Sequence, residues 1–143
     1  MRHHSTPSSH NGGSNSVKRS AKYATAIVAA HLLVNIVHGL AHRELGVGIA
    51  PFDSIFVIVV VLTFPLIAAG LLWTAKKRLG LILFSLSMFG SLLFCSYHHF
   101  LAVSPDHVHS QPPSLGGIAF VLTAYLLLIT EAQPACSHIA RNN

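Results

Sequence analysis

The stretch His31–His42, HLLVNIVHGLAH, decides how the chain is read, because it places three histidines and an asparagine in an otherwise apolar run. At 3.6 residues per turn, His31, Asn35, His38 and His42 fall at roughly 0°, 40°, −20° and 20°, within one narrow face. Toward the N-terminus the same face continues through Ala24, Ile27 and Val28, so its polar character belongs to the middle and far parts of the helix. Polar groups avoid lipid, and this face therefore turns into a bundle.

Three further apolar segments lie outward from this one. The four run from Tyr23 to Ala41, Phe52 to Thr74, Leu79 to Phe100 and Leu115 to Ile129. A hydrocarbon layer about 30 Å thick needs about 20 helical residues. Three segments meet that length, and the fourth does so once Thr130 and Glu131 are included. Strands are excluded because no ten-residue alternating pattern occurs and lipid-exposed strands would leave backbone groups unpaired. The expected fold is all-α, an integral membrane four-helix bundle. Its membrane domain spans residues 21–132, between a disordered polar tail, 1–20, and a short tail, 133–143. The first tail is rich in Ser, Asn, Gly and His and too poor in apolar side chains to offset its ordering entropy. His3, His4 and His10 are read as part of it.

Composition agrees with this picture. Only 9% of the 143 residues are charged and 52% are hydrophobic, with a mean hydropathy of +0.58. A soluble domain carries about 25% charged residues. The pI near 9.7 does not indicate nucleic acid, because the basic residues punctuate apolar runs and form no patch interleaved with aromatics. Cys95 lies in an apolar run and Cys136 in the polar C-terminus, which argues against a disulfide framework. The first apolar run is longer than the core of a signal peptide, and no small-x-small cleavage site precedes His42.

Eight of the nine Lys and Arg residues (Arg2, Lys18, Arg19, Lys22, Lys76, Lys77, Arg78 and Arg141) fall on one side of this topology, and only Arg43 falls on the other. The positive-inside rule then places both termini in the cytoplasm and the protein in the cell membrane, the inner one in a Gram-negative bacterium. Tyr23 and Trp73 fall at the inner interface and Tyr97 at the outer one. Pro51 and Asp53 suit the first turn of the second helix, and Pro65 should kink it.

The third segment carries a second stripe, Gly80, Ser87, Ser91, Cys95 and His98, that ends in SYHHF. The first and third helices run in the same direction, so His38 and His42 share a depth with His98 and His99. The following loop adds SPDHVH, with Asp106, His107 and His109. Imidazole ligates zinc, copper and iron, and an i, i+4 pair such as HGLAH projects from consecutive turns toward one ion. The candidate metal set is therefore His38, His42, His98, His99, Asp106, His107 and His109. The same placement permits one b-type haem held axially between His38 and His98. No histidine lies at the depth of His31 to hold a second haem.

HGLAH also satisfies the first box of the membrane di-iron desaturases. SYHHF and DHVH lack that family's HxxHH spacing, and the cluster lies on the non-cytoplasmic side, which excludes the resemblance. P-loop, GxSxG and Cys-x-x-Cys motifs are absent. The leading expectation is a metal or haem site near the non-cytoplasmic face, serving redox chemistry or metal handling. The alternative is a non-enzymatic subunit in which the histidines are interhelical hydrogen-bonding residues. Its partner would be another membrane protein or a second copy, docked on the third helix's small-residue stripe or the first helix's polar face. A pH-responsive channel ranks last, for want of broken-helix repeats. Glu131 is read as an interfacial carboxylate without a role.

Overall fold

A computed structural model describes the backbone of residues 12–139 and the side chains of residues 18–133. His3, His4, His10 and the side chain of Cys136 lie outside the described residues, as does most of the expected N-terminal tail. The described chain is all-helical. Helix α1 is Gly12–Glu44, α2 is Pro51–Leu72, α3 is Lys77–Leu101 and α4 is Leu115–Ile139, with a short 3₁₀ turn at Val108–Ser110. All four long helices are long and apolar enough to cross a membrane. Helix α1 reaches back to Gly12, into the stretch whose composition argued for a tail. Extending an existing helix is far easier than nucleating one, so the polar residues ride on the apolar segment that follows.

Helix α1 packs mainly on α4, α4 on α3, and α3 on the second half of α2, which closes the ring against α1. Helices α1 and α3 therefore face each other diagonally. Both polar stripes turn inward: His31, His38 and His42 on α1 are buried, as are Gly80, Ser87, Ser91 and Cys95 on α3. The outer faces are apolar and exposed, with Leu33, Ile36 and Leu40 on α1 and Ile55, Ile58 and Leu66 on α2. Side chains of this kind suit contact with acyl chains.

The interior has two halves. Near the Lys76–Arg78 turn it is dry, built from Ala21, Ala24, Val28, Ala68, Leu72, Phe84 and Met88. Small residues let the helices approach closely there. A Cβ at Gly80 would lie 3.0 Å from both the Leu71 Cβ and the Leu72 nitrogen. Toward the opposite end the interior becomes polar.

Two π-helical segments shape that polar half. The first, Val57–Thr63, precedes Pro65 in α2. Proline has no N–H to give the carbonyl four residues earlier, which here is Val61, and the helix widens into a π segment just ahead of it. The second, Tyr97–Leu101, closes α3, with the Ala102 N–H donating to the Tyr97 carbonyl at 2.7 Å.

Candidate metal centre

Helix α1 ends in a paired-hydrogen-bond cap. Gly46 adopts φ 66°, the Val47 N–H donates to the His42 carbonyl at 3.1 Å, and the Gly46 N–H donates to the Arg43 carbonyl at 3.3 Å. Such a left-handed residue is where glycine is favoured. The cap turns the chain so that the Val47 carbonyl lies 3.4 Å from His42 Nδ1. His38 and His42 stand on consecutive turns just before this cap, and the π turn of α3 brings His99 toward them.

These three side chains converge. His38 Nε2 lies 3.2 Å from His42 Nε2 and 3.2 Å from His99 Nε2. All three are buried, and their ligand nitrogens lie within 4.8 Å of one another. Phe120 of α4, wholly buried, packs against all three rings at centroid distances of 4.7, 4.8 and 5.3 Å.

The outward ring nitrogens each meet a polar partner. His99 Nδ1 donates to the Asp106 carbonyl at 2.9 Å. His42 Nδ1 faces the Val47 carbonyl and, at 3.5 Å, the Asp106 carboxylate. His38 Nδ1 lies 2.8 Å from the Thr123 hydroxyl, whose own hydrogen is directed to the Ala119 and Phe120 carbonyls at 2.6 and 3.0 Å. At His42 and His99 the Nδ1 neighbours only accept, so Nδ1 carries the hydrogen and Nε2 keeps its lone pair. The Thr123 hydroxyl both donates and accepts; with the hydrogen on His38 Nδ1, three lone pairs face one another, an arrangement that could hold a cation.

The donor set fits a transition metal. Zinc–imidazole bonds of 2.0–2.1 Å at tetrahedral angles put ligand nitrogens about 3.3 Å apart, close to two of the three separations here, 3.2 Å each, while the set as a whole lies within 4.8 Å and would draw together on an ion. Metal-bound histidines also donate their remaining N–H to a carboxylate, carbonyl or similar acceptor, the role filled by Asp106, Val47 and Thr123. Beside the triad lies a cavity of about 80 Å³, lined among others by Asn35, Ser91, Cys95, His98, Asp106 and Glu131. Three imidazoles beside this cavity would leave room for a fourth ligand on an ion held there.

Of the seven residues expected in the site, His38, His42 and His99 come together, and Asp106 supports them from behind. The other three lie apart from the triad. His98 stacks on Phe94 at 4.3 Å, with Nε2 4.0 Å from Asp53 Oδ1. His107 has Nε2 3.3 Å from the Phe100 carbonyl and accepts the His109 N–H at its Nδ1, so both histidines serve the loop. His98 lines the same cavity as His38, and the histidine in direct ring contact with His38 is His99. The cause is the π turn, whose i→i+5 bonding takes up an extra residue and carries His99 onto the face of Ser87, Ser91 and Cys95.

Sequence reasoning missed Thr123, Phe120 and Glu131. The last is buried in the bundle and lines the cavity, where an interfacial position was expected. Its signal was present, since Phe120, Ala124, Leu127 and Glu131 share one helical face and all are buried. No protein-family pattern, curated relative or solved structure matches the chain, so the chemistry of this site is argued from its geometry alone.

Proposed function

We propose that this is a membrane metal-binding protein whose His38, His42 and His99 hold a transition-metal ion at one end of a four-helix bundle. The observation that carries the reading is the convergence of three buried Nε2 atoms whose Nδ1 atoms are all engaged by polar partners elsewhere. Neutral imidazole suits zinc, copper or iron. The Asp106 carboxylate beside His42 supplies a negative charge for an ion otherwise held by neutral ligands. When bound, such an ion with a free position activates a water or is passed onward. The charge bias of the loops supports an orientation with this end on the non-cytoplasmic face, both termini in the cytoplasm and the chain in the cell membrane. Haem is the less favoured cofactor, because His38 makes its direct ring contacts with His42 and His99, a set of three imidazoles that suits a single ion.

The reading is tested by metal analysis and absorption spectroscopy of protein purified without a histidine tag, before and after dithionite. Transition metal bound in stoichiometric amount, without a Soret band, is expected, and His38→Ala/His99→Ala should lose the ion held by the triad. A folded double variant that keeps its full metal complement would overturn the assignment.

A further inference from the structure

His31 and Glu131 lie deeper in the same bundle, with side chains 2% and 1% exposed. Their polar atoms are unusually placed. His31 Nε2 sits 3.1 Å from the Val61 carbonyl, the group that Pro65 leaves without its helical donor, and a carbonyl only accepts. The Asn35 Nδ2, a donor, lies 3.1 Å from the same nitrogen; in the tautomer that donates to Val61, Nε2 carries the hydrogen and Nδ1 presents a lone pair. That nitrogen has no hydrogen-bond partner among the described residues, and neither do Glu131 Oε2 and Ser91 Oγ, all three buried. Glu131 Oε1 lies 3.8 Å from His31 Nδ1.

A gap of this size is too long for a hydrogen bond. It is the separation that a shared metal produces: bonds of 2.0–2.1 Å to nitrogen and 2.0–2.2 Å to oxygen put the two donors between about 3.4 and 4.2 Å apart, according to the angle. A buried carboxylate without a counter-ion costs several kcal/mol, so this carboxyl is either protonated or paired with a cation, and the unpartnered nitrogen beside it offers a second ligand. Ser91 and Glu131 line the cavity that adjoins the triad, as do Asn35 and Val61, the hydrogen-bonding neighbours of His31. Seven residues separate His31 from His38, which is about 10 Å along the helix.

We propose that His31 and Glu131 form a second site for a divalent transition-metal ion, reached through the same cavity and about 10 Å deeper than the triad. The chain then holds two ions in series along its axis, an arrangement suited to moving a metal ion into the bundle. The route of supply rests on the metal-binding reading of the triad, whereas the second site rests on its own donors.

The test is equilibrium dialysis of chelator-stripped, tag-free protein in detergent against Co²⁺ and, separately, Zn²⁺. Wild type is expected to bind two ions per chain. His31→Ala/Glu131→Gln should bind one, and His38→Ala/His99→Ala should bind the other one. Helicity by circular dichroism and elution volume identify variants that remain folded. Should the Glu131 variant lose an ion while the triad variant loses none, the second site stands and the triad reading fails. A wild-type count of one that Glu131→Gln leaves unchanged overturns the proposal without any reference to variant folding. In that case the pair shares a proton.

Discussion

At His38 one ring nitrogen meets Thr123 and the other meets both His42 and His99, so the orientation of a single imidazole is set from three helices at once. Thr123→Val removes the acceptor and leaves a buried N–H unpaired, at a cost of about 1–3 kcal/mol. It also frees the ring to adopt the other tautomer. Metal affinity should fall by about 10- to 100-fold, the usual effect of losing such a supporting partner, as measured by calorimetric titration. Asp106→Asn should weaken binding less, because the backbone carbonyl of residue 106 continues to hold His99. Ligation requires neutral imidazole, so lowering the pH must release the ion and raising it must restore binding. A dialysis series across pH checks the sign, and tighter binding in acid would contradict the ligand assignment. The pair His38 and His42 was legible in the sequence because i and i+4 on an α-helix leave no choice of face. The third ligand was ambiguous, because adjacent histidines at 98 and 99 differ by about 100° on an α-helix and the local π turn decides between them.

The helices themselves were readable from hydropathy, since each run must satisfy its backbone internally to exist in lipid. Their irregularities were not. Pro65 announced a disturbance in α2, but not that the freed Val61 carbonyl would be met by His31. Gly46 and Gly80 are single residues on which element geometry depends. Gly46→Ala forces an L side chain into the left-handed region at about 1–2 kcal/mol and loosens the turn that places Val47 against His42. Metal affinity should drop while the helix content stays unchanged. Gly80→Val acts at the other end, where its side chain would press on the backbone of α2. Overpacking of this kind costs about 1–3 kcal/mol. The expected result is a lower thermal midpoint in detergent with metal binding retained at low temperature.

Across the described residues, an apolar ring of helices encloses a dry half and a polar half, with the candidate metal ligands confined to the second. Depth along the bundle was legible from segment lengths, which is why the outer histidines were expected to gather. Rotation about each axis was less so, and this is why Glu131, two residues past an apolar run, was read as interfacial although its helical face is buried. The basic turn at Lys76–Arg78 belongs to the end opposite the triad. A fluorescent protein fused to the C-terminus should therefore fold and fluoresce, and a periplasmic phosphatase fused there should stay inactive. The reverse pattern would place the triad on the cytoplasmic side. The account as a whole depends on an ion held by three imidazoles, and X-ray absorption at the zinc edge addresses that directly, using tag-free protein loaded with a single equivalent. It should show nitrogen ligands near 2.0–2.1 Å with the multiple scattering of three imidazoles, reduced to the signal of one or none in His38→Ala/His99→Ala. A spectrum free of imidazole scattering, or one unchanged in the double variant, would contradict the account.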